Sequence, residues 1–173
     1  MIERRHLRNM CRVLALVFCA LFVLSSVACA ASTDFAALTW NGSVVGVLDG
    51  DTLEVLHTRH AERIRLYGID CPEKRQAFGK VAKLATSSLV FGQAVTVKPH
   101  DTDRYRRVVA EVFLPDGTNL NHQLVKDGWC WWYRKYAPED TVLEALEREA
   151  REAKRGLWVD PQPVPPWEWR KRK

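Results

Sequence analysis

The 173-residue chain is long enough for one compact domain with a hydrophobic core and too short for two. Its apolar fraction of 47% and charged fraction of 27% are those of a globular protein, which excludes a chain disordered throughout. The net charge of +5 does not itself indicate nucleic-acid binding, because residues 1–30 carry +3, the last four residues carry +4, and residues 31–169 sum to −2. Any attraction for phosphate must therefore come from local clusters.

The first thirty residues have the pattern of a secretory signal peptide. Four arginines precede an apolar run over 13–27, and Ala28-Cys29-Ala30 supplies a small-x-small cleavage site. The run is shorter than the roughly 20 residues that a membrane-spanning helix needs, which favours cleavage after Ala30 over a retained anchor. Lipid attachment at Cys29 is a further alternative, although Ser26 stands where that motif prefers an aliphatic residue. We therefore expect an exported protein, periplasmic or secreted, and lipid-anchored in the envelope only if Cys29 is modified.

Two cysteines, Cys71 and Cys130, remain in the expected mature domain. Cysteines in an oxidising compartment are able to pair. No feature of the sequence brings these two together in space, so the sequence favours separate thiols and leaves pairing open.

The first strands are predicted around a tight turn. Residues 43–48 and 52–57 flank Asp49-Gly50, a pattern typical of a β-hairpin. A third strand is predicted over 64–69, where apolar and polar residues alternate, and Pro72 prevents its extension.

The second half of the domain mixes helices with two more strands. A helix is predicted over 79–91 from its apolar spacing, followed by strands over 94–98 and 108–113. A short helix is expected over 121–126, and a longer one over 142–154 with Thr141 as its N-cap.

This element order predicts the fold class. Three strands, a helix, two strands and two helices suit an α+β, mainly β protein built as a five-stranded OB-type barrel with three helices. The expected organisation is a signal peptide at 1–30, the barrel domain at 31–160, and a Pro/Trp-rich basic tail at 161–173. The tail is interpreted either as an extended segment laid over the barrel by its Trp rings or as a loose end.

Three polar clusters lie at the predicted strand ends. They are Asp49-Gly50-Asp51-Thr52 at the hairpin turn, Arg65 with the following Asp70-Cys71-Pro72-Glu73, and the run from Asp101 to Arg107 before the fifth strand. Each alone is weak, since Asp-Gly is a common turn, Asp70 is a plausible helix N-cap, and arginine runs are often solvated loops. Their order and spacing taken together are specific.

Convergence of these clusters would supply the groups that phosphoryl transfer needs. Asp51 and Asp70 offer carboxylate oxygens to a hard cation such as calcium. Arg65 and Arg107 offer guanidinium forks that match the charge and shape of a reacting phosphate. Glu73 is a candidate to accept a proton from water or to orient it.

The same segments resemble a known family. Val47 to Leu53, Arg65 to Glu73 and Asp103 to Arg107 look like the motifs of the staphylococcal nuclease (thermonuclease) family, and so do the segments at 121–128 and 156–158. The resemblance covers about residues 40–159. It implies an OB-type barrel and calcium-dependent hydrolysis of DNA and RNA, with 5′ P–O cleavage leaving 3′-phosphate products.

The resemblance also implies roles for individual residues. It assigns metal binding to Asp51, Asp70 and the backbone carbonyl of Cys71. It assigns catalysis to Arg65, Glu73 and Arg107, and substrate binding to Arg104, Tyr105 and Tyr136. Glu73 matches a presumed general base whose role is alternatively to orient the water. DNA and RNA are the expected substrates of a monomer without a stable protein partner.

Departures from the family pattern raise specific expectations. Cys71 stands where a threonine is usual, so a thiol beside the metal would be open to oxidation. Arg106 replaces a glycine before Arg107, which predicts an altered loop, and Arg134 falls where a stacking tyrosine would be. The loop over 74–79 is short, and this predicts a different substrate approach.

The tryptophans Trp129, Trp131 and Trp132 have two interpretations. They are able to stack on bases, but core packing of at least two of them is favoured.

Two rivals to an exported nuclease remain. One is a non-catalytic OB-type nucleic-acid-binding module, and the other is an envelope protein that uses its Pro/Trp tail for contacts. The presence of all five candidate catalytic and metal-binding side chains favours the nuclease.

Overall fold

The computed structural model describes residues 39–172. The signal peptide and cleavage site predicted within residues 1–30 lie outside this range, and they stay predictions. Across the described range, no helix has both the length and the apolar character needed to cross a bilayer.

Five strands close into a barrel. In chain order the elements are β1 (Trp40–Val47), β2 (Thr52–His57), β3 (His60–Leu66), β4 (Ile69–Asp70), α1 (Gly79–Val90), β5 (Ala94–Thr102), β6 (Val108–Phe113), α2 (Leu120–Lys126), β7 (Trp131–Trp132), α3 (Thr141–Glu152), a 3₁₀ turn (Gly156–Val159), α4 (Pro166–Trp169) and a final 3₁₀ turn (Arg170–Arg172). The barrel order is β1-β2-β3-β6-β5, with β5 pairing back to β1. Neighbours are antiparallel except β3 and β6, which run parallel. The predicted five-stranded OB-type barrel is confirmed.

The prediction of a single strand over 64–69 is wrong in one respect. β3 ends at Leu66, and the separate β4 pairs with β7 outside the barrel. The break follows from a turn in which the Tyr67 N–H donates to the Ala110 carbonyl at 2.8 Å and Gly68 takes a left-handed φ of 74°. Asp70 therefore ends a short strand of its own.

The three predicted helices are present as α1, α2 and α3, and the tail adds the short α4. The predicted N-cap of α3 is wrong by one residue. Asp140, not Thr141, caps the helix, because its Oδ1 accepts from the backbone N–H groups of Val142 at 3.1 Å and Leu143 at 2.9 Å.

Alternating apolar residues of the strands fill the barrel. Leu53, Ile64 and Val112 are fully buried, and each such side chain contributes about 1.5–3 kcal/mol to folding. Trp132 joins this core, while Trp131 packs in a second cluster with Leu157 and Trp158. Core packing of at least two of the Trp129, Trp131 and Trp132 group is thereby confirmed.

Candidate active site

The β1–β2 turn holds Asp51 in a fixed place. Asp49 Oδ1 accepts from the Asp51 N–H at 3.1 Å, and the Gly50 carbonyl accepts from the buried Thr86 hydroxyl of α1 at 2.7 Å. A Cβ on Gly50 would lie 2.7 Å from Cys71 Cβ, so only glycine permits this approach. Helix α1 and the chain after β4 therefore clamp the turn from two sides.

Cys71 and Cys130 form a disulfide. The expectation of separate thiols, and of an oxidisable thiol beside the metal site, is wrong. The physical reason is the β4–β7 pairing, which sets Asp70 opposite Trp131 and so brings the two neighbouring cysteines together. The Cys71 N–H also donates to Asp51 Oδ2 at 2.7 Å, so the disulfide lies directly behind a candidate metal ligand.

Arg65 joins the two candidate metal-binding carboxylates. Its Nη1 donates to the carbonyls of Leu66 at 2.7 Å and Ile69 at 2.8 Å, which fixes the guanidinium. Its Nη2 lies 3.0 Å from Asp70 Oδ1 and 3.3 Å from Asp51 Oδ2. The side chain is only 14% exposed, so this guanidinium acts in a weakly screened environment.

Arg107 reaches the same cluster from the other side. Its Nη1 is 3.4 Å from Thr52 Oγ1, which is itself 3.3 Å from Asp51 Oδ1. Asp103 holds the opposite edge of the guanidinium. Arg106 has a φ of 64°, the left-handed conformation that glycine favours, so the arginine is strained at this position. The predicted alteration of the loop stays a prediction.

Negative charge is crowded at the turn. Burial and the nearby charge of Asp51 raise the pKa of Asp49 to about 6. Burial also raises the pKa of Asp70, against the hydrogen bond from Arg170, and the charge of Asp51 adds to the rise. A cation placed among these carboxylates would offset both effects.

The donor chemistry fits a hard divalent cation. Asp51 and Asp70 are buried carboxylates that share one guanidinium, and the Cys71 carbonyl follows directly in the chain. Calcium accepts such oxygen donors and completes its shell with water or substrate oxygens. Within residues 39–172, no group of three His, Cys, Asp or Glu side chains gathers as a metal-binding set. The candidate centre therefore depends on two carboxylates and backbone oxygen.

Glu73 is joined to Asp70 through a residue that the sequence did not indicate. Arg170, in the C-terminal tail, places Nη1 2.8 Å from Glu73 Oε1 and Nη2 2.7 Å from Asp70 Oδ2. The one feature of the sequence that pointed to this contact was the basic end of the tail. A contact spanning about a hundred residues leaves no local pattern.

The candidate substrate-binding residues are exposed. Tyr105 is 63% exposed beside Arg107, and the Arg104 guanidinium lies 4.7 Å over its ring. Tyr136 is 59% exposed and meets Tyr133 edge to face, away from the Arg104–Tyr105 pair in the chain. Arg134, at the position where a stacking tyrosine was expected, instead lies over the Trp132 ring.

An OB-type barrel with two arginines and two carboxylates near one turn is an arrangement that fits binding of a metal ion and a phosphate group. Residues 63–160 match the family model described as staphylococcal nuclease homologue. An uncharacterized endonuclease of Escherichia coli is 51% identical over 133 residues, which is 77% of this chain and 86% of the relative. A micrococcal nuclease of Shigella flexneri is 40% identical over 164 residues, 88% of this chain and 94% of the relative.

The chain belongs to the staphylococcal nuclease homologue family. It is a nuclease, a hydrolase whose substrates are nucleic acids.

Proposed function

We propose that this nuclease is exported and hydrolyses phosphodiester bonds of DNA and RNA with the help of a bound calcium ion. The observation that carries the proposal is the contact of Arg65 with both Asp51 and Asp70 at the clamped turn. A non-catalytic binding module has little physical reason to bury two carboxylates beside a fixed guanidinium, because burial penalises their charge.

Asp51, Asp70 and the Cys71 carbonyl would hold the ion. Calcium, when bound, supplies Lewis-acid stabilisation of charge on the phosphate oxygens. The disulfide and the Cys71–Asp51 hydrogen bond fix two of these three donors against each other. Such preorganisation reduces the ordering cost of binding.

Arg65 and Arg107 would stabilise the reacting phosphate. Both are held by other protein groups, so neither must reorganise when charge develops in the transition state. Glu73 is assigned to the attacking water, either as general base or as the acceptor that orients it. Arg104, Tyr105 and Tyr136 would contact the substrate, and their exposure supports that assignment.

Export is supported by the Cys71–Cys130 disulfide, because such bonds persist in oxidising compartments. Cleavage after Ala30 would release a periplasmic or secreted protein, and modification of Cys29 would anchor it to the envelope. Mass spectrometry of the mature N-terminus distinguishes these products, and an intact residue 1 would contradict both.

The test of function is cleavage of fluorogenic DNA and RNA by residues 31–173. We expect cleavage with millimolar calcium and none with chelator. The Asp51→Asn variant should be inactive, whereas Asp116→Asn, at an exposed turn outside the site, should cleave normally. Intact substrates with every divalent metal tested, together with retained DNA binding, would contradict the catalytic proposal and favour the binding module.

A further inference from the structure

The C-terminal tail is docked on the candidate active site. Arg170 Nη2 lies 2.7 Å from Asp70 Oδ2, and its Nη1 lies 2.8 Å from Glu73 Oε1 and 3.3 Å from Asp70 Oδ1. One guanidinium thus contacts both oxygens of a candidate metal ligand and the candidate catalytic glutamate. These are the oxygens that a metal ion and the attacking water would need.

The position of Arg170 is fixed by several contacts of the preceding residues. Trp167 stacks on Tyr133 with ring centroids 5.2 Å apart and planes inclined by 3°. Gln76 Nε2 donates to the Val164 carbonyl, and Gln76 Oε1 accepts from the Glu73 N–H. Pro166 is buried at the start of α4. The tail is therefore held at Gln76 and Tyr133 as well as at the carboxylates.

The docked arginine adds a second positive charge beside Asp70, which Arg65 already contacts. Three carboxylates, those of Asp49, Asp51 and Asp70, are crowded at the turn. Arg65 contacts two of them, Asp51 and Asp70. Arg65 contacts only Oδ1 of Asp70 and leaves Oδ2 open to a metal ion, whereas Arg170 covers both oxygens, so its charge would repel a cation ligated by Oδ2. Occupation of Asp70 by Arg170 and ligation of a metal by Asp70 are therefore competing states.

We propose that residues 161–172 form a tethered inhibitor, whose Arg170 occupies the candidate metal ligand Asp70 together with Glu73 and withdraws when metal and substrate bind. Arg170 is 41% exposed and lies outside the barrel strands, so it is able to leave without opening the barrel. Apparent metal affinity then equals the intrinsic affinity reduced by the fraction of molecules with the tail undocked. The docked tail thus lowers the apparent calcium affinity, so that a higher calcium concentration is needed to fill the site.

The inference rests on the proposed calcium site, so the test measures calcium binding itself by titration calorimetry on residues 31–173. In Arg170→Gln the competitor's charge is lost, and we expect calcium to bind about tenfold more tightly, as for a tail docked about nine times in ten. Lys171→Gln removes the same charge from the adjacent, exposed residue and should leave the affinity unchanged.

A second measurement is thermal unfolding without metal. Arg170→Gln leaves Asp70 with one fewer cationic partner, so its Tm should fall by about 2–4 °C, while calcium should abolish the difference. If Arg170→Gln bound calcium equally or more weakly than wild type, this inference would be overturned and the proposed calcium site would stand. A loss of turnover greater than about tenfold at saturating calcium would also overturn it, because Arg170 would then be a substrate ligand. Calcium binding by neither variant nor wild type would overturn the calcium proposal as well.

Discussion

Asp103 holds Arg107 at both its side chain and its backbone. Asp103 Oδ2 is 2.8 Å from both Nε and Nη2, and Asp103 Oδ1 accepts from the Arg107 N–H at 3.0 Å. Burial would raise the pKa of Asp103, but the hydrogen bonds from Arg107 outweigh it and the pKa is lowered. Asp103 is therefore ionised at neutral pH, and it orients the guanidinium so that Nη1 points towards Thr52.

Asp103→Asn should lower kcat about tenfold, because a neutral amide is a weaker partner for the guanidinium than a carboxylate. Steady-state cleavage assays at saturating calcium measure the change. Asp101→Asn is the matched control, since Asp101 is exposed and accepts from the N–H of the next residue. An unchanged kcat in Asp103→Asn would show that Arg107 needs no orienting partner.

Arg65→Lys and Arg107→Lys should each lower kcat by about 10²–10³, because a point charge replaces a planar fork at a site of developing charge. Single-turnover cleavage of DNA measures this loss apart from product release. Arg63→Lys is the control, since Arg63 is 55% exposed and faces Glu54 rather than the site. Near-wild-type turnover in either test variant would remove that arginine from the phosphate contacts.

Glu73→Gln should bind substrate normally, and calcium at least as tightly as wild type because its contact with Arg170 is weakened, but it should turn over about 10²–10⁴ times more slowly, because the amide cannot accept a proton from water. Calorimetry and cleavage assays on the same preparation separate binding from chemistry. Glu62→Gln, at a distant position of β3 that pairs with Val55, serves as the control. A rate equal to wild type would leave Glu73 without a role in the reaction.

Local patterns predicted the barrel well and the site's long-range contacts poorly. β2 and β6 have the predicted bounds, because alternating apolar residues face one interior along the whole strand. The break between β3 and β4 was missed, because it depends on a hydrogen bond from Tyr67 to the remote Ala110.

Contacts between residues far apart in the chain explain the other differences. The Cys71–Cys130 bond spans 59 residues and depends on the β4–β7 pairing, which no periodicity indicates. Arg170 reaches Asp70 across 100 residues, and a basic tail alone does not say where it docks. The motifs around Asp51, Arg65 and Arg107 were recognisable because each lies next to a strand end that local sequence defines.

Arg106→Gly should stabilise the fold by about 0.5–1 kcal/mol, because the left-handed φ of 64° is strained for arginine and relaxed for glycine. Urea unfolding measures the gain. Cleavage should change little, since the backbone path that positions Arg107 stays the same. Arg104→Gly, in the same loop, is the control and should not stabilise, because Arg104 has no left-handed φ. A destabilised Arg106→Gly would mean that side-chain contacts of Arg106 outweigh its backbone strain.

Removal of the disulfide should weaken both folding and metal binding. The Cys71→Ser, Cys130→Ser double variant should lose about 2–4 kcal/mol of unfolding free energy, because the bond closes a long loop in the unfolded chain. It should also bind calcium more weakly, since the Cys71 N–H no longer holds Asp51 as firmly. Urea unfolding and calorimetry measure the two effects, and wild type treated with reductant should reproduce both. Weaker folding with unchanged calcium affinity would mean that the Asp51 turn is fixed by Gly50 and Thr86 alone.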